Sequence, residues 1–259
     1  MPIVRKAKQE DSESIVKILL DGIGERLAAY TIYSAQGVTA YVRAQIKSCN
    51  LGTSCFFVSE NDSGIIGFAE FKFFGSEIFL NNIYVSEQGR GAGIGKVLLN
   101  AGLVMAQEKN MCEIVLDVFK HNINALNWYR KLGFKSREEF SWLVIDQNPS
   151  RDSKWFKILN LPFAECVCSE FGFATLDIST ELDSYSVGIL NDNFYRVTSP
   201  EVLQDQTLLA GLKLLDSSKK ILFIGNDSSL PDLEENSYVK VATCLRMAAN
   251  VDGVIAYLN

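Results

Sequence analysis

Histidine is nearly absent: His121 is the only one in 259 residues. The six cysteines (49, 55, 112, 166, 168 and 244) form no CxxC pair. Without either ligand type at metal-binding spacing, a zinc site is not expected, and no other metal is expected either. The cysteines read instead as reduced, buried thiols of a cytoplasmic protein. A basic surplus is also lacking. The formal net charge is -6, which argues against nucleic acid as a partner, because phosphate binding wants basic surface. No apolar run approaches the ~18 residues that span a bilayer, so no membrane association is expected. The N-terminus has basic residues but no uninterrupted apolar core and no small-residue cleavage site, so no signal peptide is expected. What remains is 47% hydrophobic and 22% charged, the balance of a globular chain long enough for two domains.

The first half alternates strand-like and helix-like stretches. "PIVRKA" reads as a strand. "EDSESIVKILLDGI" reads as a helix with Asp11 or Ser12 as cap and Ile15, Ile18 and Leu19 on one face. A second helix falls within 36–48. Three strand-like runs follow, "SCFFVSE", "GIIGFAEFKFF" and "EIFLNNIYVS", separated by turn signals at 61–64 and 75–76. A helix with Ile94, Val97, Leu98, Ala101 and Met105 on one stripe runs to about Lys109. "CEIVLDVF" is a buried strand, "NINALNWYRKL" a helix closed by Gly133, and "FKSREEFSWLVI" a returning strand. The polar stretch at 147–153 is the expected domain boundary.

One segment needs a special explanation. In "VSEQGRGAGIGKVLL", residues 85–99, four glycines alternate with other residues just where a helix must begin. A helix start has unpaired N–H groups and the positive end of the helix dipole. Glycines there let those groups converge and clear side chains from an approaching anion, so the expected ligand is a phosphate or pyrophosphate. A P-loop fails, because Arg90 stands at its first glycine and Val97 at its Ser/Thr. A dinucleotide fingerprint fails too, because Ile94 or Lys96 stands where its last glycine should be.

The segment resembles the acetyl-CoA pyrophosphate loop of the GNAT family of N-acetyltransferases, R/Q-x-x-G-x-G/A. Arg90-Gly91-Ala92-Gly93-Ile94-Gly95 matches, and so does an overlapping register from Gln88 through Gly91 to Gly93. The Arg90 register is preferred, because the apolar helix then starts where the family's does. Asn122, Ala125, Tyr129, Gly133 and Phe134 resemble the family's second signature, N-x-x-A-x-x-x-Y-x-x-x-G-F. "IVRKAKQEDSESIVKIL" resembles its first strand and helix. The likeness covers about residues 1–145 and implies an α/β GNAT fold with a mixed sheet.

The resemblance implies a chemistry. Residues Gln88, Gly89, Arg90, Gly91, Ala92, Gly93, Ile94, Gly95 and Lys96 would hold the pyrophosphate of acetyl-CoA. The pantetheine arm would pair with the edge formed by Ile83, Tyr84 and Val85, with Asn122 bonding or positioning it. Tyr129 would be the general acid for the leaving thiolate. The general base is less evident. Asn81 and Asn82 occupy the strand where the family often carries a carboxylate, and an amide takes no proton at neutral pH. Glu70, acting through a water, is the chosen candidate; Glu77 and Asp117 are alternatives, as is solvent. His121 reads as a loop residue near the cofactor. Residues around 22–41, including Tyr30, Tyr33 and Tyr41, would wall the acceptor site.

The second half lacks Gly-rich loops, yet "VGILNDNFYRVTSPEVLQDQTLLAGLKLLDSSKKILFIGND" echoes the stretch from "EIFLNNIYV" to "EIVLDV". In place of the glycine loop it has "SPEVLQDQ", where Glu201 and Asp205 would repel a pyrophosphate. The expected organisation is an acetyl-CoA-binding GNAT domain at 1–148 and a degenerate GNAT-like domain without a CoA loop at 149–259. The expected function is transfer of an acetyl group from acetyl-CoA to a primary amine of a small molecule or protein, by a monomer or homodimer. The rival is a CoA-binding pseudo-enzyme acting as a sensor or interaction module.

Overall fold

The structure, a computed structural model, describes residues 2–49, 51, 54–146, 155–226 and 237–258. The expected boundary at 147–153 lies outside the described residues. In chain order the elements begin with β1 (Ile3–Lys6), α1 (Ser12–Ile23), α2 (Glu25–Ala28), α3 (Val38–Lys47), β2 (Ser54–Asn61), β3 (Gly64–Phe74), β4 (Glu77–Val85), α4 (Ile94–Glu108), β5 (Glu113–Phe119) and α5 (Ile123–Lys131). They continue with β6 (Lys135–Ile145), β7 (Phe156–Ile158), α6 (Leu161–Phe171), β8 (Phe173–Thr180), β9 (Ser184–Leu190), β10 (Phe194–Val197), α7 (Gln206–Leu215), β11 (Lys220–Gly225), β12 (Tyr238–Asn250) and α8 (Val251–Leu258). This is a mixed α/β architecture. No helix among the described residues is long and apolar enough to cross a membrane.

The chain divides into two compact units, and neither is a single continuous stretch. One comprises residues 1–25, 39–138 and 245–259; the other comprises 26–38 and 139–244. The first unit therefore draws its last strand residues and α8 from the far end of the chain. Nothing in the local sequence pattern signals that, because strand pairing partners are set by tertiary packing.

In the first unit β1, β2, β3 and β4 pair antiparallel in that order, and β4 then pairs parallel with β5. The parallel pair needs a crossover, which α4 supplies. Its apolar stripe explains why it lies where it does. Leu98, Leu99 and Leu103 are fully buried in one cluster with Phe71, Ile78, Leu80, Ile114 and Leu116. Met247, Val251 and Val254 complete the same cluster. Polar contacts tie α8 in as well: Val251 N donates to Cys112 O at 3.0 Å, and Gln107 Nε2 to Asp252 Oδ1 at 2.6 Å.

The second unit has its own core of Leu176, Ile178, Val187, Tyr195, Leu208, Leu212 and Phe223. Its strands β7, β8, β9 and β10 pair antiparallel in turn, β10 pairs parallel with β11 across α7, and β11 pairs antiparallel with β6. The sequence echo proves one strand out of step. Leu190-Asn191 ends β9 and turns, with Asn191 at φ 50, whereas Leu80-Asn81 lies inside β4.

Two local expectations differ from what is found. Asp11 makes no capping hydrogen bond at the start of α1. Its carboxylate instead takes both Arg5 guanidinium nitrogens, at 2.7 and 3.1 Å, and the Lys8 N–H at 2.7 Å. The cysteines are not all buried either: Cys112 and Cys166 are exposed, while Cys55 and Cys244 are inside.

Candidate active site

The glycine segment folds as a tight turn leading into α4. Gly93 is the N-cap residue at φ 77, and Gly91 has φ 80. Both values lie in the left-handed region that non-glycine side chains resist. A Cβ on either would meet nothing within 4 Å, so the space in front of the turn is open. Gly95 is an ordinary helical residue whose Cβ would rest 3.6 Å from Trp128. The glycines that the backbone requires are thus those of the Gln88 register rather than the preferred Arg90 register.

The hydrogen bonds of the turn decide what it can hold. Lys96 and Val97 N–H groups both donate to Gly93 O, at 3.0 and 3.3 Å, and Arg90 N–H donates to Glu87 O. The N–H groups of residues 91–95 have no acceptor among the described residues. Such a row of bare donors at the positive end of a 15-residue helix is an anion cradle. Arg90 and Lys96 are exposed beside it. The nearest carboxylate in sequence, Glu87, is drawn off by Arg90 at 3.9 Å. These residues fit a coenzyme A pyrophosphate.

The sheet opens next to this cradle. β4 and β5 pair only from Glu77–Glu113 to Leu80–Leu116. Beyond that point, among the described residues, Ile83, Tyr84 and Val85 pair with β3 but not with β5, so this part of β4 presents an edge on the side away from β3. A free edge accepts an extended chain as an added strand. Ile83, Tyr84 and Val85, expected to line the pantetheine arm, all lie on it.

Tyr129 is in the α5 helix and is 6% exposed. Its ring packs against Trp128 and Phe134, with centroids 5.0 and 5.4 Å away. Burial, with the nearby Tyr84 hydroxyl adding to it, pushes its phenol well above the ordinary value. Tyr84 is itself pushed up to about 12 by burial. Both phenols are therefore protonated at neutral pH and able to donate. Asn122 caps α5, its Oδ1 accepting from Ala125 N at 3.1 Å. Its carbonyl is thereby occupied by its own helix. His121 is exposed and stacked on Phe119 at 5.4 Å.

Glu70 is buried in β3 at 6% exposure. Its Oε2 accepts from Asn81 Nδ2 at 2.7 Å and from Asn82 Nδ2 at 2.6 Å. Lys72 Nζ lies 4.0 Å from Oε1. Glu70 sits opposite Asn82, beside the point where β4 leaves β5. The other carboxylates considered are committed elsewhere. Asp117 takes a bidentate pair from Arg246 Nε and Nη2, both at 2.9 Å. Glu77 and Glu113 share Arg137, with Glu77 at 3.6 Å.

Sequence reasoning missed two of these arrangements. The asparagine pair on Glu70 depends on a strand irregularity, and the Arg246 pair joins residues far apart in the chain. The expected acceptor wall is also divided. Tyr30 and Tyr33 fall in the second unit, where Tyr30 packs on Phe194 at 5.3 Å. Tyr41 stays in the first unit, its phenol pushed up by burial and by the charge of Glu70.

Comparison with known proteins agrees with this geometry. The model of the acetyltransferase (GNAT) family matches residues 22–134. An N-alpha-acetyltransferase of Sulfurisphaera tokodaii is 30% identical over 145 residues, 51% of this chain and 79% of that protein. A spermine/spermidine N(1)-acetyltransferase of Bacillus subtilis is 24% identical over 132 residues, 45% of this chain and 86% of that protein. A solved structure from Pyrococcus horikoshii, named a putative acetyltransferase, shares the fold at a TM-score of 0.64 and 15% identity, over 96% of this chain and 89% of that one. With the glycine cradle, the open β4 edge and the Asn122–Tyr129 helix in one unit, the chain belongs to the GNAT family of acetyltransferases.

Proposed function

We propose that the first unit transfers the acetyl group of acetyl-CoA directly to a primary amine of a small molecule or protein. The observation that carries this reading is the row of bare N–H groups at 91–95 beside the Ile83–Val85 end of β4, which lies beyond the β4–β5 pairing. Acetyl-CoA is the acyl donor of the family, and it supplies an activated thioester carbonyl. The chain's own residues bind, orient and move protons around it. The 91–95 amides, with Gln88 and Gly89 leading into them and Arg90 and Lys96 alongside, hold the pyrophosphate. The Ile83–Val85 edge aligns the pantetheine arm, and a free N–H there polarises the carbonyl oxygen. Asn122, whose Oδ1 is taken by its own helix, is left its side-chain N–H group to bond the same arm.

Two proton transfers complete the chemistry. Glu70 takes the proton that the amine must lose, directly or through one water. Tyr129 gives its proton to the departing thiolate. Its raised affinity for the proton keeps the phenol in the donating form at neutral pH. The relatives are named for N-alpha-acetylation in one case and for spermine and spermidine in another. The acceptor is accordingly set by residues outside the cofactor cradle.

The second unit is proposed to be a degenerate GNAT-like domain that binds no CoA. Its strand directions repeat those of the first, but the start of α7 is self-filled. Asp205, 1% exposed, accepts from Leu208 N at 3.0 Å through Oδ1 and from Thr180 Oγ1 at 2.6 Å through Oδ2. A carboxylate stands where the first unit leaves bare amides.

The test is release of free CoA thiol from acetyl-CoA in the presence of a panel of diamines, aminoglycosides and peptide N-termini. Thiol release with at least one amine, matched by an acetylated product, supports transfer. Tight CoA binding with no release across the panel makes the chain a binding module instead.

A further inference from the structure

We infer that Asn81 and Asn82 are positioning residues for Glu70, clamping one carboxylate oxygen so that the other receives the amine's proton. This rests on the proposed role of Glu70 as base. In a regular strand, neighbouring side chains point to opposite faces, so consecutive asparagines cannot both reach one cross-strand partner. Here the β3–β4 register breaks between Glu70 and Phe71: Glu70 lies opposite Asn82 and Phe71 opposite Leu80. Asn81 is the extra residue of a bulge, and bulges re-aim side chains. The result is that both amides donate to Oε2 of Glu70, at 2.7 and 2.6 Å.

The division of labour between the two oxygens follows. Two strong donors occupy the lone pairs of Oε2. Among the described residues, Oε1 has the Lys72 ammonium at 4.0 Å. A buried carboxylate must be stabilised by partners, and an arginine fork would satisfy both oxygens and leave no site for a proton. Neutral amides on one oxygen fix the rotamer and leave Oε1 outside their hydrogen bonds. In the step itself, a new Oε1–H bond forms as an N–H bond of the substrate ammonium breaks. The electron pair stays on nitrogen, which attacks the thioester carbonyl. Glu70 returns the proton to solvent. Among the described residues, Lys72 and Tyr41 are titratable groups that face Glu70.

The experiment is the pH dependence of kcat/KM for the full chain with one fixed amine. Asn82→Ala is expected to move the acidic limb upward by about one pH unit, the size of one lost charge-assisted hydrogen bond. The rate on the alkaline plateau should fall as well, because the Glu70 rotamer is no longer fixed. Asn82→Asp should move the limb further, because two adjacent carboxylates resist ionising together. Glu70→Gln should erase the limb and lower kcat by about 10²-fold or more. If Asn82→Ala does not fold, Asn81→Ala at the half-buried bulge position gives the same readout. An unmoved limb in the asparagine variants, with Glu70→Gln inactive, overturns the positioning role and leaves Glu70 as base. A wild-type profile for Glu70→Gln overturns the role of Glu70 itself.

Discussion

Replacing Gly93 separates the electrostatics of the cradle from the strain of its turn. The residue sits at φ 77, and a Cβ there meets nothing within 4 Å. Gly93→Ala therefore adds only left-handed backbone strain, about 1–2 kcal/mol, read as a melting point lower by roughly 3–8 °C. Its affinity for acetyl-CoA should stay near wild type, because the 91–95 amides remain in place. Gly93→Glu adds the same strain and a carboxylate at the mouth of the cradle. At about 5 Å and an effective dielectric of ~20, a phosphate charge is repelled by about 3 kcal/mol. That weakens binding about 10²-fold, and a pyrophosphate carries more than one charge. Calorimetric titration with acetyl-CoA, beside melting curves with and without ligand, measures both effects. If Gly93→Glu binds within about threefold of Gly93→Ala, the pyrophosphate does not sit at this helix start.

Other outcomes follow from single groups. Tyr129→Phe should lower turnover by about 10²–10⁴ and leave acetyl-CoA affinity unchanged; wild-type turnover would leave Tyr129 a packing residue. Calorimetry of the whole chain should give one acetyl-CoA per chain, because Asp205 fills the start of α7; a second equivalent would refute the reading of the second unit. At Asp11 burial pushes the carboxyl upward, but the Arg5 hydrogen bond, the Lys8 N–H and the charges of both residues outweigh it and hold the carboxyl below its usual value. A depressed carboxylate contributes stability above its unfolded value near ~3.9 and loses it as pH falls through the folded value. Asp11→Asn should therefore melt below wild type at pH 7, with the gap closing below about pH 4; a gap independent of pH would show that the charge is not responsible.

The cofactor half of the site is legible in the sequence because it is built locally. Alternating glycines followed at once by an apolar stripe can only be a turn feeding a helix, and the bare amides follow from that. The α5 signature is equally local, since Asn122 and Tyr129 lie on one short helix and its cap. The proton-accepting side is not local. Glu70 looked ambiguous because a strand charge with mixed neighbours does not reveal its burial. Asn81 and Asn82 are set aside in the sequence because an amide takes no proton, and only the bulge brings both onto one carboxylate. Asp117 stands among the alternative bases in the sequence because its partner, Arg246, lies in a strand that the first unit takes from the end of the chain. Tyr30 and Tyr33 were grouped with Tyr41 by nearness in sequence, yet Gly37 packs against the backbone of Glu170 and Phe171 and holds the 26–38 segment in the second unit.

Amide hydrogen exchange of the 91–95 segment, followed with and without acetyl-CoA, tests the central claim most directly. In the free protein these N–H groups have no acceptor among the described residues and should exchange fast. With saturating acetyl-CoA they should become protected, while the self-capped start of α7 at 206–208 should not change. Unchanged exchange at 91–95 under conditions where calorimetry shows the ligand bound would contradict the assignment of this turn as the cofactor cradle.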